Sequence, residues 1–225
     1  KALDFAARNT QGLKPVTAVV RDAGRPRLED LEGENGGPVI RRMLTGMYVA
    51  LDRTIRDVMG FNRQRLRPDP NDGTAHVNLG RAMLARRRND EALRHFTNAV
   101  VVAPNLDEAH YYLGLTHRLA GRLAAAAHEF ERVIQLNPGH SRAFGNLGVM
   151  HFEAGRREVA AQLLSEAVRL DPMDPLAHAN LGELRLQEGN AKDALPLLER
   201  AAELDPSDAD VRANPQRARQ QLGVK

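Results

Sequence analysis

AHVNLG at residues 75–80 returns as AHYYLG at 109–114, AFGNLG at 143–148 and AHANLG at 177–182, each copy 34 residues after the last. A fixed period between about 20 and 50 residues marks stacked units, each too small to bury its own apolar face. Starting each unit three residues before the His or Phe of the phrase gives spans of 73–106, 107–140, 141–174 and 175–208. Positions seven and eight are then always Leu-Gly: Leu79-Gly80, Leu113-Gly114, Leu147-Gly148 and Leu181-Gly182. Position twenty is always Ala (Ala92, Ala126, Ala160, Ala194), and position thirty-two is always Pro (Pro104, Pro138, Pro172, Pro206).

Each recurrence has a mechanical reading. A glycine inside a helix costs about 1 kcal/mol against alanine, so its return four times implies a close helix crossing. The expected partner across that crossing is the alanine at position twenty. Large apolar residues at position twenty-four (Phe96, Phe130, Leu164, Leu198) fill the rest of the seam. Proline ends the second helix, because it has no N–H to donate and clashes with the preceding turn. Gly121, Gly155 and Gly189 at position fifteen suit a left-handed turn between the helices. The first unit has Arg87 there, so Asn89 is expected to take that conformation instead.

These residues resemble the tetratricopeptide repeat family, whose 34-residue motif has an aromatic at position four, Leu-Gly at seven and eight, Ala at twenty and Pro at thirty-two. The array departs from it at His76, His110 and His178, where the family often has Trp. The resemblance implies an all-α fold: a right-handed α-solenoid of helix-turn-helix repeats with flanking capping helices.

Composition agrees. Hydrophobic residues make up 42 % of the 225-residue chain but aromatics only 4 %, with no Trp, so the core rests on Leu, Ala and Val. The absence of cysteine excludes disulfides, thiolate metal sites and a thiol nucleophile. No run of 18 apolar residues occurs, so no transmembrane helix is expected. The chain opens at Lys1 rather than Met, which leaves open a preceding signal, anchor or domain, and with it the compartment.

Charge is uneven. Residues 1–37 carry six basic and six acidic groups, residues 38–67 seven Arg against two Asp, and residues 68–225 carry 19 against 21. The repeats are thus slightly acidic and are not expected to track nucleic-acid phosphates. Residues 38–67 hold an apolar stripe at helical spacing: Ile40, Met43, Met47, Leu51, Ile55 and Met59. They read as a decayed repeat or one long helix covering the end of the array. A basic amphipathic helix for a membrane surface, a larger complex or self-association is the other reading. Residues 1–37 read as a loop-like arm. Residues 209–225 read as a capping helix with Asn214 as N-cap, Pro215 as first helical residue and a glycine stop.

Catalysis is not expected. His110 and His117 share a helix face, but these are packing positions of the resembled family, and no further ligands converge for a metal. No phosphate-cradling, zinc-protease or nucleophile-elbow pattern occurs, and no cofactor is implied.

What remains is surface. In the resembled family the first helices line a concave groove, with positions two, five, six, nine and twelve pointing inward. Position six reads Asn78, Tyr112, Asn146 and Asn180, similar to the asparagine ladder by which superhelical members hold an extended peptide by its backbone. An amide offers both donor and acceptor, which matches a peptide unit whatever its side chain. Helix-to-helix hydrogen bonding is the alternative use of the same residues. Gly145 opens the groove floor beside Tyr111, Val149 and Phe152, and charged contacts are expected from Arg81, Arg118, Arg142 and Glu183. The family's two-carboxylate clamp of Lys and Asn is not expected, since Val77 and Arg81 stand in its place. The implied function is a non-catalytic scaffold that binds a protein or peptide segment. Membership of a larger assembly, or of a multidomain enzyme, is the alternative.

Overall fold

The computed structural model describes residues 37–206 and 209–223, with side chains placed for 50–206 and 214–223. All of its regular structure is helical. A long helix, α1 (Gly37–Leu66), precedes four helical hairpins. These are α2 (Gly73–Ala85) with α3 (Asn89–Val102), α4 (Asp107–Leu119) with α5 (Leu123–Leu136), α6 (Ser141–Glu153) with α7 (Arg157–Leu170), and α8 (Pro175–Gln187) with α9 (Ala191–Leu204). A last helix, α10 (Ala209–Leu222), follows. Each helix packs chiefly on its neighbours in the chain, which is the contact pattern of an α-solenoid.

The glycine seam is real, and the nearest side chain on it belongs to position twenty-four. A methyl group added to Gly80 would lie 2.5 Å from the Phe96 ring, and one on Gly114 3.0 Å from Phe130. The same addition at Gly148 or Gly182 would meet Leu164 at 2.8 Å or Leu198 at 2.6 Å. Position twenty-four thus sits directly on the glycine. The position-twenty alanines are fully buried. Phe96, Phe130, Leu164 and Leu198 are all fully buried, and each contributes roughly 1.5–3 kcal/mol.

The hairpin turns follow expectation at three sites and depart from it at one. Gly121, Gly155 and Gly189 have φ of 71°, 75° and 77°. In the first hairpin Arg87 itself adopts φ 58°, whereas Asn89 is the first residue of α3. The turn needs its left-handed residue at position fifteen. An arginine there accepts the strain because the flanking helices leave no slack to move it to position seventeen.

The histidines at position four have a structural use. His76, His110 and His178 each bring Nε2 to the carbonyl of the proline that closed the preceding helix: Pro70 at 3.2 Å, Pro104 at 3.0 Å and Pro172 at 3.0 Å. These prolines lie just past the helix ends at Leu66, Val102 and Leu170, where their carbonyls have no helical partner, and the next unit's imidazole satisfies each. The same ring of His110 holds Glu129 through Nδ1 at 2.6 Å.

At the N-terminal end α1 is a single helix antiparallel to α2. Arg86 pairs with Asp52, and Arg65 with Asp72 at 2.5 Å. Asp72 also caps α2 by accepting from the Ala75 N–H at 2.9 Å. At the other end α10 runs through Pro215 rather than starting at it, and it stops at Gly223 with φ 67°. Pro215 and Ala218 are buried against the last hairpin. Residues 1–36, read above as an arm, lie outside the described residues.

Candidate functional site

First helices approach one another across successive units: α2 with α4, α6 with α8, and α8 with α10. Second helices show no comparable approach among the described residues. An array packed more closely along one row of helices curves toward that row, so the first helices form the inner wall. One step differs. The close approach is not repeated between α4 and α6. This step is an opening at backbone level only: Tyr111 and Arg118 of α4 bridge it to Asn146 of α6, and Arg142 and Gly145 lie beside them on α6.

Gly145 belongs to this opening. A methyl group added to it would meet only the Cβ of Ala167, at 3.9 Å, an ordinary contact. Packing does not demand glycine here, in contrast to the four seam glycines. Val149 and Phe152, one and two turns further along α6, are partly buried against Leu164, Leu181 and Leu184. Leu176, at position two of the last unit, is an exposed apolar residue. This half of the wall is apolar.

The other half is aromatic and charged. Tyr112 stacks on Phe96 with ring centroids 5.4 Å apart, and Tyr111 meets Tyr112 edge-on, also at 5.4 Å. Tyr111 further packs on His140 at 4.7 Å. Arg81 reaches over the Tyr112 ring, 5.1 Å from its centroid, and pairs with Glu108 at 3.1 Å. Burial raises the Tyr112 phenol above its ordinary value and keeps it neutral. Burial likewise lowers the proton affinity of His140, whose ring nitrogen accepts from the Ala143 N–H at 3.2 Å and caps α6.

The asparagines do not form a uniform ladder. Asn78 donates to the side-chain oxygen of buried Asn62 on α1, at 3.3 Å. Asn146 accepts from Arg118 at 2.9 Å and donates to the Arg142 carbonyl at 2.8 Å and to the Tyr111 hydroxyl at 3.5 Å. Tyr112 occupies the second rung. Asn180 alone has no side-chain hydrogen bond to another of the described residues. At the far end Glu183 accepts from Arg217 of α10 at 2.9 Å and from Gln187 at 2.9 Å. Sequence reasoning missed these internal partners because most lie at least a helix away in space. Asn62 and Arg217 do stand in the 34-residue phase, one period before Phe96 and one after Glu183, but phase alone names no partner.

Among the described residues there is no group of three or more His, Asp or Glu side chains placed to hold a metal. His117 and His151 lie at equivalent positions one unit apart, each with a buried Nδ1 that lacks a partner. Burial lowers the proton affinity of both. They are packing groups, as their family positions imply.

Comparison with known proteins points one way. A search of curated proteins finds no match. A solved structure of the Cut9–Hcn1 heterotetramer of the APC/C superposes with a TM-score of 0.67 at 19% identity, covering 75% of this chain and 34% of that one. The chain thus spans about a third of that relative's length. YrrB, a TPR protein described as having an unusual peptide-binding site, gives 0.59 at 20% identity over 72% of this chain and 84% of that one. TTC0263, a thermophilic TPR protein of Thermus thermophilus, gives 0.59 at 22% over 81% and 97%. A family model described as tetratricopeptide repeat matches residues 77–141, 120–175 and 146–209, more than half of the chain. Stacked hairpins, the glycine seam, the proline stops and these matches together make the protein a member of the tetratricopeptide repeat family, whose arrays serve as protein-interaction scaffolds.

Proposed function

We propose that the chain is a non-catalytic adaptor that holds an extended partner segment along its inner wall, seated between α4 and α6. The observation that carries this reading is Gly145: a partly exposed glycine within a helix, costing stability, where an added methyl group would make only an ordinary contact with Ala167 at 3.9 Å. A backbone kept bare without a packing reason suits close approach by another chain. Asn180, with no side-chain partner among the described residues, offers its amide to that chain's backbone, and Val149, Phe152 and Leu176 offer an apolar floor for one of its side chains. A buried apolar anchor with a satisfied polar rim is the usual pattern of such contacts.

The test is selection of peptides from a random displayed library on the full chain, followed by binding to Gly145→Leu and Asn180→Ala. Selected peptides should lose about tenfold or more in affinity on Gly145→Leu, which fills the floor, and less on Asn180→Ala. Undiminished binding to Gly145→Leu, with the fold intact by circular dichroism, would remove the reading.

A further inference from the structure

The charged side chains of the inner wall are nearly all neutralised internally. Arg81 pairs with Glu108, Glu183 with Arg217, and Arg118 bonds to Asn146 and lies 3.7 Å from Glu153. Arg142 is the exception. It is exposed, stands at the start of α6 next to Gly145, and pairs with no carboxylate among the described residues. Tyr112, whose phenol it influences, is neutral and offers it no counter-charge. The opening between α4 and α6 therefore presents an uncompensated cation beside an apolar floor. A matching segment has a carboxylate one or two residues from a leucine.

The chain contains such a segment. Residues 28–34 read LEDLEGE: four carboxylates, two leucines and no cation. These residues lie outside the described part, and only their composition enters the argument. We infer that the acidic segment 28–34 of a second copy of this chain docks in the opening, with a carboxylate on Arg142 and a leucine over Gly145. The inference rests on the reading of the inner wall as a peptide site and names its occupant.

Geometry excludes the chain's own segment. Asp52 of α1 is tied to Arg86, the residue that follows α2. From Asp52 back to Gly37 the helix rises about 22 Å, directed away from the start of α2. Arg142 is the second residue of α6, as Thr74 is of α2, and Arg65 of α1 pairs with Asp72 at that end of α2; from Arg65 back to Gly37 the helix rises about 42 Å. The nine residues from Leu28 to Gly37 span at most about 31 Å when fully extended, short of the roughly 40 Å required. A second copy has no such tether. The segment and the groove are different surfaces, so the contact is heterologous and generates rings or open chains unless two copies exchange segments reciprocally.

The experiment uses three full-length proteins in sedimentation velocity across a concentration series. One variant carries Glu29→Lys, Asp30→Lys, Glu32→Lys and Glu34→Lys, and can only receive. The other carries Arg142→Glu with Gly145→Leu, both at positions that are not buried, and can only donate. The natural chain should self-associate, less so as salt rises, since the contact includes an exposed ion pair. Each variant alone should lose that association by about tenfold or more, and an equimolar mixture should regain it as a one-to-one complex. A monomeric natural chain, persistent association in either variant, or a mixture that forms no complex would overturn the inference. Library-selected peptides that still require Gly145 in a chain that does not self-associate would leave the adaptor reading standing and remove only this one.

Discussion

The two ends of the array are both covered by apolar contacts, Met59, Ile55 and Leu66 at one and Ala218 at the other, but only the first adds a buried amide pair. At the N-terminal end α1 sets an amide where the repeats set Phe or Leu. Asn62 stands 34 residues before Phe96, is 2 % exposed, donates to the Val58 carbonyl at 2.8 Å and accepts from Asn78. Ion pairs from Arg86 and Arg65 flank it. At the C-terminal end α10 lies on α9 and α8 as the first helix of a further unit would, with Pro215 and Ala218 buried and Arg217 and Arg219 pairing outside to Glu183 and Glu199. The N-terminal end is satisfied only in one register, because an amide pair must align both its donors and its acceptors. The C-terminal end needs only small volume. A solenoid can be terminated by either device, but the first is the more specific and the second the more forgiving of sequence.

The largest expected effect is at the forgiving end. Ala218→Asp places an unpaired carboxylate in a fully buried site and should cost about 3–5 kcal/mol, detected as loss of α10 protection in hydrogen exchange. Retention of native protection there would show that α10 is not held by that contact. At the N-terminal end Asn62→Ala strands the half-buried Asn78 amide and should cost about 1–3 kcal/mol in urea unfolding. Asn62→Leu with Asn78→Leu removes both polar partners and should be close to neutral, which separates the loss of a hydrogen bond from the loss of packing. Arg87→Gly should stabilise the first hairpin by about 1 kcal/mol, since the left-handed turn no longer carries a side chain. Unchanged unfolding would mean that the arginine's own contacts offset its strain.

The pH response sharpens the contrast between neighbouring units. His76 and His95 face each other through their Nδ1 atoms at 3.2 Å, where the next unit pairs His110 with Glu129. Burial first, then the charges of His76, Arg94 and Arg63, lower the proton affinity of His95 below its ordinary 6.5. The unfolded chain therefore takes up this proton first as pH falls. Stability on this account is full above about pH 6.5 and is lost as pH drops toward the folded value. His95→Glu reproduces the neighbouring pair and should flatten that loss in thermal melts run from about pH 8 to about pH 5. An unaltered slope would assign the acid sensitivity to His117, His140 and His151 instead, whose proton affinities are lowered in the same direction.

Much of the fold was legible from residues 73–208, because a repeat states its packing rule four times and chance cannot keep the phase. Leu-Gly, the twentieth alanine and the proline stops each report a local or nearest-neighbour constraint. What the repeat could not report is which large residue lies on which glycine, since positions twenty and twenty-four are one turn apart on the same helix face. Arg87 was misplaced because propensity favours asparagine in a left-handed turn, while the turn itself was held in register by the helices on both sides. Pro215 was read as a helix start on the same propensity grounds, yet the packing of α10 carries the helix through it. The inner wall was legible as a list of positions, but not as a set of partners. Asn78 is bonded to α1, Glu183 to α10, and Asn146 to an arginine one unit away.

Period, hairpin and helix stops are thus properties of the sequence alone, because each depends on residues within one 34-residue unit and the next. The opening between α4 and α6 and the uncompensated arginine beside it are decided by the tertiary structure. Both depend on how units pack on one another and on which charges already have partners, and distance in space rather than in sequence sets those.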